Sequence, residues 1–367
     1  MEKKVSLREI LTSAVFITVI GVFFVLNIVV PTPAVLVGER RVPAKLPELS
    51  VDSILSGSFM NKFDDYAADC FVFRDAFRGI HSFMVFNVYM QTDKSGLYRT
   101  RNVGLGEFRR INTTSFRQTA ERLKKAAESL DGLDMNIYYS IVPDKSVSAG
   151  RYMPGFDIST AEAILFDVLS DYKYIPLMDK LNADIFYKTD IHWDQSRISD
   201  PVSHILSSMG ARSDIGELPE TRAGEFRGVY AGQIALPVDV DVMNYIDIPG
   251  LTVSYLNEKT LEFEDEPAYD LERFAGVDPY DLFLRGPQPL IVIENNAAPN
   301  RELFLFRDSF GSSLAPLLTG AYSKITVIDL RYIHLSLINQ FAEFTPGSDV
   351  LFIYSSQIFN NPSILQT

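Results

Sequence analysis

Between Leu11 and Val30 the chain reads LTSAVFITVIGVFFVLNIVV, twenty residues without a charge. At about 1.5 Å per residue this run makes a helix about 30 Å long, the thickness of a bilayer's hydrocarbon core. Pro31 and Pro33 stop it, and Lys3, Lys4 and Arg8 precede it. A cleaved signal peptide is the competing reading, but its apolar stretch spans about 7–15 residues and ends at a small-residue cleavage site. The run here is longer and no clear site of that kind follows, which favours an uncleaved anchor. Arg40, Arg41 and Lys45 on the far side dilute the positive-inside bias, so orientation rests on the short basic N-terminus. The expected organisation is a cytoplasmic segment 1–10, an anchor 11–30, a proline-containing stalk 31–57 and an extracytoplasmic body 58–367.

The body has the composition of a packed globule, with 47% hydrophobic and 22% charged residues over the whole chain. A net charge of −13 argues against nucleic acid as a partner, because phosphate binding needs a basic footprint. The single cysteine, Cys70, rules out an internal disulfide, a CxxC redox pair and a zinc knuckle. Gly104-Leu105-Gly106 lacks the third glycine of a dinucleotide fingerprint and no GxxxxGK[ST] occurs, so no nucleotide cofactor is expected.

From residue 135 onward apolar runs alternate with helical patterns. Strands are expected at Met135–Val142, Tyr174–Met178, Leu290–Ile293, Leu303–Phe306, Ile325–Leu330 and Val350–Tyr354. Helices are expected at Ala161–Leu169, Ser196–Met209, Ser313–Leu318 and Ile333–Phe344. Fully apolar strands between helices indicate an α/β fold, a mostly parallel sheet covered on both faces. Residues 210–283 break this rhythm with Gly, Pro, acids and short alternating runs, which predicts a β-rich insertion. Upstream, Phe63–Phe86 carries aromatics at helical spacing and reads as a core-facing stripe.

Two segments carry chemistry. Leu303–Phe306 runs straight into Arg307-Asp308-Ser309-Phe310-Gly311 and then a helix, which puts Ser309 at the carboxyl end of a strand. Open α/β sheets build their sites there, and a serine on such a turn exposes its hydroxyl. The bland alternative is that Ser309 or Ser312 caps the next helix. In Lys188-Thr189-Asp190-Ile191-His192-Trp193-Asp194, Asp190 and His192 leave the same face of an extended chain. There the carboxylate can accept from the ring Nδ1–H and leave Nε2 to face a serine. The alternatives are a histidine packed beside Trp193, with Asp194 as a helix cap, or metal ligation by Asp190, His192 and Asp194. No second histidine lies near enough to complete a usual metal site, so none is expected.

Taken together, KTDIHW and, more than a hundred residues later, LFLFRDSFGSSLAPLL and ITVIDLRYI resemble the DHHW family. These are membrane-anchored, SGNH-hydrolase-like proteins similar to the alginate O-acetyltransferases. The likeness continues through KFDDYAADCFVFRDAF, IVPDKS, PLIVIEN and DVLFIYS, in the family's order. It implies a flavodoxin-like, SGNH-type sheet whose catalytic blocks are permuted, Asp and His preceding Ser. It also implies Ser309 as nucleophile, His192 as base and Asp190 as the residue that orients it. The second position of the Asp-His-His-Trp motif is Ile191 here, so proton transfer falls to His192. Glycine and asparagine blocks for an oxyanion hole are not matched, and Asn295 and Asn296 are candidates by residue type alone. Trp193 is a candidate platform for a sugar ring and Arg331 a candidate substrate contact; core packing and a surface salt bridge are their alternatives.

The resemblance implies extracytoplasmic transfer of an acetyl group to hydroxyls of a surface or exported polysaccharide. An acetylesterase with the same triad and a non-catalytic glycan-binding scaffold are the alternatives. Acetyl-CoA is cytoplasmic and too charged to cross a bilayer, so a multi-pass membrane acyltransferase is the expected acetyl donor.

Overall fold

The computed structural model describes residues 6–101, 103–213 and 218–367. Lys3 and Lys4, and residues 214–217 of the expected insertion, lie outside them. The chain separates into two compact units, Met1–Met90 with Gly232–Leu236, and Gln91–Ala231 with Pro237–Thr367.

In the first unit, helix α1 (Leu7–Val29) opens on a reciprocal cap: Ser6 Oγ accepts from Glu9 N–H, and the Glu9 carboxylate accepts from Ser6 N–H. None of its residues is buried, and it is long and apolar enough to cross a membrane; a signal sequence has the same appearance. The expected stalk contains one turn of 3-10 helix, Val37–Glu39, and the short helix Val51–Leu55. The helical spacing over Phe63–Phe86 falls on two helices, α2 (Ser58–Cys70) and α3 (Arg74–Phe83), followed by a π-helical turn at Met84–Val88. Phe73, at φ 59°, breaks them apart. The aromatic stripe does not face a core, because Phe63, Phe71, Phe73, Phe77 and Phe83 are all exposed.

The second unit is built on an eight-stranded sheet. Its main-chain strands are β1 (Asn136–Val142), β2 (Lys173–Tyr174), β5 (Leu251–Leu256), β6 (Phe263–Asp265), β7 (Leu290–Asn295), β8 (Glu302–Arg307), β9 (Lys324–Ile328) and β10 (Asp349–Ser355). A separate antiparallel ribbon pairs β3 (Glu220–Phe226) with β4 (Asp241–Ile246). The sheet order is β2-β1-β10-β8-β9-β7-β5-β6. The first five strands are parallel and the last three join antiparallel. The region expected to be an insertion is thus β-rich, but its second half extends the main sheet.

Side chains alternate across this sheet as the pleat demands. Leu303 and Leu305 of β8 enter one core, with Leu314 of helix α7 (Phe310–Leu318) and Ile205 of helix α6 (Ser199–Ser208). Phe304 and Phe306 enter the other, with Phe116 of helix α4 (Thr113–Glu128) and Leu165 of helix α5 (Ile158–Val168). With both faces covered, the Leu303–Phe306 stretch of β8 is apolar throughout, as its sequence announced. Three expected elements are shorter. The strand at Tyr174–Met178 ends at Tyr174, two residues ahead of Pro176, which has no N–H for a ladder. The helix at Ser196–Met209 starts at Ser199, after a turn at Gln195–Arg197, and Ile333–Phe344 forms only a 3-10 segment, Leu335–Gln340.

Candidate active site

β8 lies between β10 and β9 in the parallel part of the sheet, and Ser309 follows its carboxyl end. Ser309 occupies the N-cap position of α7, yet its side chain accepts no capping bond. Asp308 organises the turn instead: its Oδ1 accepts from Phe310 N–H at 3.0 Å and its Oδ2 from Ser355 N–H at 2.7 Å. The ends of β8 and β10 are thereby tied together, and the Ser309 hydroxyl is left for another partner.

That partner is His192, whose Nε2 lies 2.8 Å from Ser309 Oγ. His192 Nδ1 lies 2.7 Å from Asp190 Oδ1, which also accepts the His192 backbone N–H at 3.1 Å. Asp190 Oδ2 accepts from Val229 N–H at 2.9 Å. The Asp–His relation does not come from an extended strand, as the spacing suggested. Residues 186–193 form a tight loop, closed by a bridge between Phe186 and Trp193 and by Tyr187 N–H to His192 O at 3.1 Å. A carboxylate accepting from the backbone two residues ahead is an Asx turn, and it brings the same two groups together. Asp190 is fully buried and His192 nearly so, while Ser309 is half-buried. The hydroxyl is therefore the accessible end of the chain of contacts.

The loop is held from beneath by residues most of which carry no local sequence signal. Lys145 is buried, and its Nζ donates to Tyr187 O and Asp190 O, each at 2.9 Å. Burial pushes its ammonium down to about 8, against the pull of the Asp190, Asp144 and Asp241 carboxylates. Asp241 accepts from Lys188 N–H at 2.8 Å, Thr189 N–H at 2.7 Å and Thr189 Oγ1 at 2.6 Å. Gly228 packs so closely on this loop that a Cβ there would overlap Thr189 O and Asp190 Cβ. Its N–H donates to Thr189 Oγ1 at 2.8 Å.

The imidazole is also fixed by rings. Tyr280 stacks on it with centroids 3.8 Å apart, and Phe310 lies 5.1 Å away on a tilted plane. Tyr280 Oη lies 2.7 Å from Ser313 Oγ, which accepts the Trp193 indole N–H at 2.8 Å. Only Lys145 had a sequence signal, as part of IVPDKS; Asp241, Gly228 and Tyr280 had none.

The remaining candidates are placed elsewhere. Trp193 is completely buried, and its indole edge is spent on Ser313, so it offers no face to a sugar. Arg331 forks onto Asp329, with Nε to Oδ1 at 2.8 Å and Nη2 to Oδ2 at 2.6 Å, rather than onto Asp190, His192 or Ser309. Asn295 ends β7, which runs antiparallel to β9, so it lies at the opposite end of the sheet from Ser309. Its side chain bonds Thr319 O and Ala297 N–H, and Asn296 is exposed on the same turn. Asp194 turns away from His192 and caps Ser196 N–H at 3.0 Å. Among the described residues, no group of three or more His, Cys, Asp or Glu side chains is arranged to hold a metal ion.

The fold and this arrangement define an α/β protein with a polar site at the carboxyl end of a mostly parallel sheet. No family model matches the chain, and no curated protein matches it by sequence. Solved structures do share its fold. A DHHW family protein from Eubacterium siraeum superimposes with a TM-score of 0.56 at 19% identity, covering 73% of this chain and 93% of that one. Bacillus cereus PatB1 superimposes with a TM-score of 0.59 at 17% identity, over 74% of this chain and 99% of PatB1. PatB1 has also been solved with a sulfonyl adduct, and that structure aligns with a TM-score of 0.58. The chain therefore has the fold of DHHW-like proteins.

Proposed function

We propose that the protein is an O-acyltransferase that moves an acetyl group through Ser309 to hydroxyls of an extracytoplasmic polysaccharide. One observation carries the reading: a continuous run of contacts from Asp190 through His192 to a half-buried serine hydroxyl, at 2.7 and 2.8 Å. His192 Nε2 takes the Ser309 proton as Oγ attacks the acetyl carbonyl, and the protonated ring returns that proton to the departing alcohol. A sugar hydroxyl then attacks the acetyl-serine and gives its proton to His192, which regenerates free serine. Asp190 holds the tautomer and faces the positive ring that forms in each half-reaction. The order of the blocks along the chain, Asp190 and His192 before Ser309, fits a permuted SGNH-type arrangement.

Under this reading α1 anchors the chain with its body outside the cytoplasm, where acetyl-CoA is absent. A single helix has no cavity to relay an acetyl group, so a multi-pass membrane acyltransferase supplies it. The sulfonyl adduct on PatB1 suggests the probe. A sulfonyl fluoride should label the wild-type chain at Ser309 and leave Ser309→Ala unlabelled, and turnover of an activated acetyl ester should vanish in parallel. Equal labelling and turnover in both would refute the assignment. With a glycan acceptor present, acetylated glycan identifies a transferase and free acetate an esterase.

A further inference from the structure

The first unit contains a helix turned inside out. Phe73, Phe77, Ile80 and Phe83 follow one another at steps of four, three and three, so they form one stripe on and beside α3. They are 61%, 45%, 59% and 53% exposed. Arg74 and Arg78, by contrast, have side chains only 17% and 21% exposed, and both reach Glu39, at 2.7 and 3.0 Å. Beneath them Asp69 receives a two-pronged bond from Arg41, both contacts at 2.6 Å. A helix in water shows its charges and hides its phenylalanines. This one does the reverse. Asp75 and His81 are the exposed exceptions, and Asp75 is paired with Arg78 at 3.0 Å.

The position of the turn between α2 and α3 gives the reason. Phe23 of α1 stacks on Phe71, centroids 5.8 Å apart and planes 10° from parallel, and lies equally far from Phe77. Phe23 is six residues short of Val29, hence about 9 Å below the end of α1. Asn27 Oδ1 accepts the Val72 backbone N–H at 2.9 Å, while Asn27 Nδ2 donates to Phe23 O at 2.8 Å. Backbone donors at membrane depth need protein partners, since no water is there to serve them. A turn whose N–H is served by a side chain of the spanning helix is suited to that depth.

We propose that the α2–α3 hairpin is a second membrane element, inserted among the acyl chains of the leaflet at the C-terminal end of α1. The stripe from Phe73 to Phe83 packs on lipid, and the Arg–Glu–Asp network sits on the protein side. The inference rests on α1 crossing the membrane and is independent of the acyl-transfer chemistry. A lipid occupant is favoured because Phe71 at the turn stacks on Phe23 within the apolar length of α1, and Phe73 beside it, at φ 59°, is 61% exposed.

Spin labels test it in the full-length chain carrying Cys70→Ser, reconstituted alone into phosphatidylethanolamine–phosphatidylglycerol vesicles. Labels at Phe73→Cys and Ile80→Cys are compared with Ile17→Cys inside α1 and Phe166→Cys on the second unit. A wild-type thermal transition confirms that each labelled chain is folded. The ratio of oxygen to nickel-chelate accessibility should be several-fold higher at positions 73 and 80 than at 166, and should approach that at 17. If 73 and 80 match 166 while 17 reads as lipid, the anchor stands and the hairpin proposal fails. If 17 also reads as water, the anchor itself fails, and the hairpin with it. Protection at 73 and 80 in native membranes but not in vesicles would assign the face to a protein partner and overturn the lipid assignment.

Discussion

The imidazole of His192 lies flat against the phenol ring of Tyr280, planes 8° from parallel and centroids 3.8 Å apart. A ring whose two nitrogens already face Asp190 and Ser309 has one freedom left, rotation out of their common plane. Tyr280 closes that route on the face it stacks against, and Phe310, 5.1 Å away, narrows it further. Under the proposed mechanism Tyr280 is a positioning residue, and its hydroxyl is secondary to its face. Tyr280→Phe keeps the face and loses the bond to Ser313, at about 1 kcal/mol. Its kcat/KM on an activated acetyl ester should stay within a few-fold of wild type. Tyr280→Leu should lower kcat by at least tenfold with a smaller change in KM; equal rates for the two variants would show that stacking does not matter.

Gly228 is the second test, because it concerns a residue without a side chain. The loop approaches Asp190 so closely that alanine forces either Thr189 O or Asp190 Cβ to move. Either movement breaks the Val229 N–H bond to Asp190 Oδ2. Gly228→Ala should therefore reproduce much of the loss caused by Asp190→Asn. The double variant should be little worse than either single one, since both damage the same unit. Additive losses in kcat would separate Gly228 from the carboxylate.

Much of the sheet was legible because Leu303–Phe306 of β8 and Val350–Tyr354 of β10 are buried on both faces and so read as apolar runs, of a length that suits strands better than buried helices. Ser309, Asp190 and His192 were legible as residue types in a recurring order. Asp241 was not, because its role exists only through three donors from a loop some fifty residues earlier, and nothing local marks it. The Phe73–Phe83 stripe shows the opposite limit. Its period gave helices correctly, but periodicity says that a face is apolar and not whether protein or lipid covers it. Trp193 misled for a related reason: a lone tryptophan beside a candidate base suggests a sugar platform, and only its burial and its bond to Ser313 show that it packs within the protein.

Trp193→Phe tests that correction. The change removes the indole N–H from Ser313 and leaves a small void, at about 1–3 kcal/mol of stability. Because no edge of Trp193 reaches solvent, KM for a glycan acceptor should not change. A denaturation midpoint that falls with KM constant is the expected pair of results. A several-fold rise in KM at unchanged stability would restore the residue to the binding surface.

Lys145 has the most to lose by substitution, since its Nζ serves two buried carbonyls that belong to the loop carrying Asp190 and His192. Methionine fills similar space but cannot donate, so Lys145→Met leaves Tyr187 O and Asp190 O unsatisfied, at about 1–3 kcal/mol each. The loop should loosen, and kcat should fall more than KM changes. The pH dependence of stability separates this role from simple packing. Burial lowers the folded pKa of Lys145 from 10.5 to about 8, whereas the unfolded chain keeps the ordinary value. Between those two values the unfolded state binds the proton that the folded state has released, so folding gains stability as pH rises through that window. Below about pH 8 both states hold the proton, and the difference is constant. The stability of wild type relative to Lys145→Met should therefore be flat from pH 6 to about 8 and should increase from about 8 towards 10.5. Denaturation midpoints of the two proteins measured side by side across that range decide it; a gap that stays constant throughout would show that Lys145 is not held in the buried, proton-shedding state that its contacts describe.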